Sequence, residues 1–359
     1  MPAVGSRLSR AYLPLLAVAL STLVACTTDQ APTEPSAGAP ALARSAVAAY
    51  TFVDLGTLDA CCSRATGIND RGQVVGSSEV PFRDDGGPGE DRGTHPFLWE
   101  NGVMTDLDVG DFSGASAISN AGTVVVSSGR FDFGAAFVWR DGVLTQLKGL
   151  GGPLDAAYAI GPNGSVVGFS VPDPSFATIH AVVWDKSGAL TDLGTPPGVA
   201  RSEARDINAA GQVVGNGDHA LLWSRGSVVD LGTLGGNFSF ATGINSRGTI
   251  VGCSRLAGDT ITHAFIWKDG VLSDLGTLGG QDSCANDIDD AGRVVGSADP
   301  ATGVGHAVIW DHGVVTDLGL LAGAGGSTAI AINARGTVVG TFQPVPGVGA
   351  EHAAMWIRR

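Results

Sequence analysis

All seven tryptophans of the chain, Trp99, Trp139, Trp184, Trp223, Trp267, Trp310 and Trp356, occupy one position of a recurring phrase, 39 to 46 residues apart. The phrase is clearest from His263 to Gly280, HAFIWKDGVLSDLGTLGG. Upstream of each tryptophan stands a second phrase, A-x-x-I-N-x-x-G-x-V-V-G, clearest at Ala65 to Gly76 and Ala241 to Gly252 and most worn in copies two and three. Such a period marks a repeat array, in which a unit buries its apolar face only against its neighbours.

Each unit reads as four short strands. Its apolar runs are four to six residues long, rich in Val, Ile, Phe and Trp, and punctuated by Gly, Asn and Asp. The Asn69-Asp70-Arg71-Gly72 step predicts a hairpin turn between the first two strands, and Asp269-Gly270 predicts one between the last two. That second turn sets Phe265 opposite Asp274, with His263 on the same face. Seven four-stranded units predict a seven-bladed β-propeller of antiparallel blades; the alternative is an open β-solenoid. The chain begins its repeats with a fourth strand, Tyr50 to Gly56, and ends them with a third, His352 to Ile357. The expectation is that residues 50–56 pair antiparallel with 352–357 and close the last blade.

The His263-Ala264-Phe265 step with Trp267, and the run Asp274 to Gly280, resemble the HAF family of extracellular repeat proteins, and the resemblance covers Tyr50 to Arg359. It implies export and a repeat-built β architecture, and supplies no catalytic residues. Copy two departs from it, with Ala135 for His, Gln146 for Asp and Val126 for Gly, so those three positions are expected to be less than essential.

Residues 1–25 read as a signal peptide: Arg7 and Arg10 precede an apolar run too short to span a bilayer comfortably. The ending Leu23-Val24-Ala25-Cys26 resembles a bacterial lipobox, which makes Cys26 the expected lipidation site and implies attachment at the cell envelope, at the outer membrane where the host has one. Residues 26–49, rich in Ala, Pro, Ser and Thr, read as a disordered tether, and 50–359 as the propeller domain. With 21 basic against 35 acidic residues and a net charge of −14, the chain is not built to bind nucleic acid. The lipid anchor is the expected membrane contact, and a monomer the expected state.

The histidines and aspartates of the repeat lie one per blade. They are therefore expected in structural networks, since zinc needs three or four ligands at one point and a glycosidase needs one carboxylate pair set apart. The tryptophans are expected to pack blades, each burying on the order of 200 Å². No phosphate loop or EF-hand spacing is present, and no metal, cofactor or catalytic residue is assigned. Function is expected where the repeat breaks, on the face carrying the second-to-third-strand loops and the connections between blades. There the candidates for binding a protein or glycan are Phe82, Asp84, Asp85, Glu90 and Asp91, in a loop taken as running from Ser77 to Thr94, with Phe131, Phe133, Arg201 and Glu203. The alternatives are a disordered acidic loop, or a polysaccharide hydrolase or lyase on the same scaffold. Cys253 and Cys284 fall on this face in neighbouring blades, at the start of a loop and the end of a connection, and form the expected disulfide; Cys61 and Cys62 form a vicinal bond or remain two thiols.

Overall fold

The repeated Asn of the second phrase makes a turn and joins two blades at once. Asn69 Oδ1 accepts the backbone N–H groups of Arg71 (3.0 Å) and Gln73 (3.1 Å), while Gly72 takes the φ of +85° that closes the turn. The Asn69 Nδ2 then donates to the Ser119 carbonyl of the next blade at 3.1 Å. Asn208 and Asn245 reach their following blades in the same way, at 3.1 and 3.2 Å. Asn333 of the last blade donates to the Asn69 carbonyl of the first at 3.0 Å, and so closes a ring.

The computed structural model describes residues 46–47, 50–81, 92–130, 133–301, 303–319, 323–345 and 350–359. They form seven antiparallel sheets, six of four strands and one of five. Blade one is Ser63–Ile68, Val74–Pro81, Arg92–Glu100 and Val103–Asp106, and each later blade repeats that meander. The first strands of successive blades touch one another all the way round, that of blade seven (Gly326–Ile332) meeting that of blade one. The first strands therefore line the centre and the fourth strands form the rim, as in a seven-bladed propeller.

Blade seven is completed by the other end of the chain. Tyr50–Gly56 pairs antiparallel with His352–Arg358, with Phe52 opposite Trp356 and Val53 opposite Met355. The fold begins slightly earlier than residue 50: Ala46 and Val47, expected in the tether over 26–49, add a fifth strand by pairing with Thr51 and Tyr50. The segment 1–25 expected as a signal peptide, and Cys26, lie outside the described residues.

Apolar cores sit between blades. Trp99, Trp184, Trp223, Trp310 and Trp356 are buried, whereas Trp139 and Trp267 are only half-buried against their clusters, less than the sequence expectation for every copy. A bulge in every first strand, at Thr66 in blade one, turns one side chain towards the next blade; Thr66 Oγ1 donates to the Ala115 carbonyl at 2.7 Å. The same bend presses the carbonyl before the constant Ala onto the second strand. A Cβ at Gly252 would lie 2.0 Å from the Phe240 carbonyl oxygen, and one at Gly340 would lie 1.9 Å from that of Thr328. The final Gly of V-V-G is thus a point of backbone contact. Gly252→Ala is expected to lower stability by about 1–3 kcal/mol, read as a fall in the urea midpoint; an unchanged midpoint would show that the contact relaxes freely. Blade two, which carries Val126 here, has Gly114 where the other blades place a residue with a side chain.

Candidate binding face

The His–Asp pairs are locks between blades. In blade five His263 Nδ1 lies 2.7 Å from Asp274 Oδ2, and Asp274 Oδ1 accepts the Gly276 N–H at 2.7 Å. The Gly276 carbonyl accepts from Ser283 Oγ at 2.8 Å, and Ser283, on the first strand of blade six, accepts the Ala264 N–H at 2.9 Å. The same circuit closes blade seven onto blade one through His352, Asp54, Gly56, Ser63 and Ala353. His95, His180, His219 and His306 pair likewise with Asp106, Asp192, Asp230 and Asp317. Burial works against a charged His95, but its hydrogen bonds to Asp106 and Asp111 outweigh it and hold its pKa above the ordinary value. Blade two changes the whole circuit together. With Ala135 and Gln146 in place of His and Asp, the serine position of blade three becomes Asp155, bonded to Ser170 Oγ at 2.5 Å and pushed up in pKa by burial.

With the repeated polar residues committed to the frame, the variable ones gather where the first strands open onto the loop-bearing face. The position before the constant Ala is Arg64, Gly114, Ala156, Glu203, Phe240, Cys284 and Thr328 in blades one to seven. Glu203 is drawn into a clamp between blades three and four. The Arg205 guanidinium lies over the Tyr158 ring at 4.2 Å, Arg205 Nη2 meets Glu203 Oε2 at 2.8 Å, and the Tyr158 hydroxyl donates to the same oxygen at 3.3 Å. Burial raises the Tyr158 pKa, so its phenol stays protonated. Arg201 is half-buried beside Ile179. In blade five the Phe238 and Phe240 rings meet at a tilt, centres 5.7 Å apart, with the Arg255 guanidinium 5.7 Å from the Phe238 ring.

Next to this aromatic pair, Cys253 and Cys284 are joined by a disulfide with Cα atoms 4.9 Å apart. Both half-cystines lie within strands, Ile250–Leu256 and Gly279–Ile288, and not in the loop and connection assigned to them from sequence, because the first hairpins of blades five and six extend their pairing outwards. Beside the disulfide a cavity of about 380 Å³ is lined by Thr260, Thr262, Asp282, Ser283, Cys284, Ser297 and Asp299. A second, of about 210 Å³, shares Ser297 and continues to Thr328, Thr341, Gln343 and Glu351 between blades six and seven. Hydroxyls and carboxylates dominate the first, while the second also takes in Val304 and Phe342.

Phe133 is 72% exposed at the end of a hairpin of blade two. The long loop of blade one is shorter than the Ser77 to Thr94 span expected, because its strands stay paired out to Pro81 and Arg92. Glu79 is therefore a strand residue. Phe82, Asp84, Asp85, Glu90, Asp91 and Phe131 lie outside the described residues.

Two acids were passed over in the sequence. The position two after the constant Ala faces the centre and is Gly or Ala in five blades, but Asp206 in blade four and Asp287 in blade six. Asp206 accepts the N–H groups of Ile207 and, across the blade gap, Ile244, both at 2.8 Å; Asp287 does the same with Ile288 at 2.7 Å and Ile332 at 2.9 Å. Burial pushes Asp206 up to about 6. Burial, with the charge of Asp206 added, pushes Asp287 up to about 8. Both folded values lie above the unfolded one, so the native state holds more protons than the unfolded chain above pH ~4, and stability falls as pH rises through ~6 and ~8. Both side chains are half-buried, so screening by solvent softens the effect, and Asp287 accounts for a loss of about 2–4 kcal/mol between pH 5 and 8. Asp287→Asn should flatten the urea midpoint across that range, and an equally steep wild type and variant would refute the assignment.

In sequence, no family model and no curated protein matches the chain. In shape, solved structures do. The acylaminoacyl peptidase of Pyrococcus horikoshii aligns at 11% identity and a TM-score of 0.52, over 83% of this chain and 52% of its own. TolB from Acinetobacter baumannii aligns at 12% identity and a TM-score of 0.39, over 80% of each chain. The chain thus spans about half the length of that peptidase, and at such identity the likeness is one of fold alone.

Proposed function

We propose that the chain is a cell-envelope lipoprotein whose propeller is a non-enzymatic binding module, taking a hydroxyl-rich glycan or a protein on its variable face. The observation that carries this reading is the pair of adjoining cavities, about 380 and 210 Å³, the larger lined mainly by hydroxyl and carboxylate groups, with the Phe238–Phe240 pair next to the disulfide that borders it. Aromatic faces beside convergent hydrogen-bonding groups suit a sugar or a polar peptide. Export and anchoring rest on the signal segment ending at Cys26 and on the resemblance to HAF repeats. Labelling with a fatty-acid analogue tests the anchor, since Cys26→Ser should abolish the label and release the protein from membranes.

The second reading, a polysaccharide hydrolase or lyase, draws on Asp206 and Asp287, whose raised pKa values are those sought in a general acid. Against it, each carboxylate is already occupied by two backbone N–H groups. A pull-down from envelope extract with the protein from Ala46 onward, run beside a glycan array, decides between them. Capture without turnover, weakened by Phe240→Ala, is the expected outcome. Release of a shortened glycan would overturn the non-enzymatic reading.

A further inference from the structure

We propose that Cys61, Cys62 and Glu79 form a binding site for a thiophilic divalent cation of the Zn²⁺ or Cd²⁺ type, separate from the cavities of blades five to seven. The two sulfurs stand 2.7 Å apart, and Cys61 Sγ lies 3.3 Å from Glu79 Oε2. One donor atom from each residue falls within 4.8 Å of the other two, and all three residues are half-buried. Ligands at the usual Zn–S distance of about 2.3 Å and Zn–O distance of about 2.0–2.2 Å are at most roughly 4.6 Å apart, so one ion reaches the whole set after small side-chain rotations. The sulfurs must open to roughly 3.7 Å for tetrahedral angles, which rotation about their Cα–Cβ bonds supplies.

The backbone behind the donors is fixed. Glu79 lies on the second strand of blade one, and its N–H donates to the Cys62 carbonyl at 2.9 Å. Ser78 Oγ donates to the same carbonyl at 3.1 Å and accepts the Leu58 N–H at 3.0 Å, tying the connection that carries both cysteines to the strand that carries the carboxylate. The site is thus held on two elements instead of on one loose turn. Two thiolates and one carboxylate select a soft or borderline ion over Ca²⁺ or Mg²⁺, which demand oxygen ligands. Among the described residues these three are the protein ligands, and tetrahedral coordination takes a fourth donor beside them. Binding displaces the thiol protons to solvent, so affinity rises with pH.

The test is a titration of the full chain with Cd²⁺ after reduction of its cysteines, followed by the thiolate-to-metal charge-transfer absorption. One equivalent should bind, with Ca²⁺ in excess failing to compete. Cys61→Ser and Cys62→Ser should each lose the band, and Glu79→Gln should weaken binding about tenfold or more. Circular dichroism verifies that the variants stay folded. The double variant Cys253→Ser, Cys284→Ser and the single variant Cys26→Ser should bind as the wild type does. Absence of the band in the folded, reduced wild type, or a band that survives Cys61→Ser and Cys62→Ser, overturns the site.

Discussion

A chain lacking Tyr50 to Gly56 should melt on the order of 10 °C below the full propeller, whereas one lacking residues 27–45 should melt with it. The deleted strand buries Tyr50, Phe52, Val53 and Leu55, and Phe52 packs edge-on against Phe342 and Trp356 with ring centres 4.9 and 5.5 Å away. Loss of the burial of Phe52, Val53 and Leu55 alone costs about 4.5–9 kcal/mol, against a total of about 5–15 kcal/mol for an ordinary domain. Asp54 goes with it, which strips His352 of its partner and opens the lock onto Ser63 of blade one. The third strand of blade seven, His352–Arg358, then becomes a sheet edge, so protease should attack the C-terminus first. Equal melting of the two truncations would mean that the ends do not hold the ring.

Arg293→Ala should be the most damaging single substitution at the base of the ring, costing about 3–5 kcal/mol. Arg293 and Asp289 have side chains only 7% and 3% exposed. Arg293 Nε donates to Asp289 Oδ2 at 2.6 Å, and Nη2 donates to the Ala334 carbonyl of blade seven at 3.1 Å. Removing the guanidinium leaves a buried carboxylate with no countercharge. The other blades show how the pair can be replaced as a unit. Blades one and four carry Asn69 with Gln73 and Asn208 with Gln212, each pair joined by an Nδ2 to Oε1 bond of 2.8 Å. The double variant Asp289→Asn, Arg293→Gln should therefore lie within about 1 kcal/mol of wild type. Urea unfolding of the wild type, Arg293→Ala and this double variant measures it. A double variant as unstable as Arg293→Ala would show that the guanidinium's reach to Ala334 matters more than its charge.

The ring was legible because its determinants are periodic. The tryptophan spacing, the Asn-x-x-Gly turns and the Asp269-Gly270 turn specify blade number and register, and Phe265 does stand opposite Asp274. The incomplete units at the two ends lead directly to the pairing of 50–56 with 352–357, observed with Phe52 opposite Trp356 and extended by one residue to Arg358. What escaped lies in positions that a search for repeats discounts. Asp206 and Asp287 occupy a Gly or Ala column, where a lone acid looks like drift until the first strands are known to line a channel. The nearness of Glu79 to Cys62 follows from the hairpin register Ser63 to Ser78, but only once the strand is seen to continue past Ser78. The in-strand placement of Cys253 and Cys284 was missed for a related reason: the first strands of blades five and six each run ten residues, through glycines that ordinarily signal a turn.

Hydrogen exchange of the protein from Ala46 onward, with and without a component captured in the pull-down, bears most directly on the proposal that recognition belongs to the variable face. Protection is expected at residues 237–240, 260–262, 282–284 and 297–299, around the aromatic pair and the larger cavity, with none at the opposite turns near Gly72, Gly248 and Gly292. Protection confined to those turns, or to the fourth strands of the rim, would contradict the account.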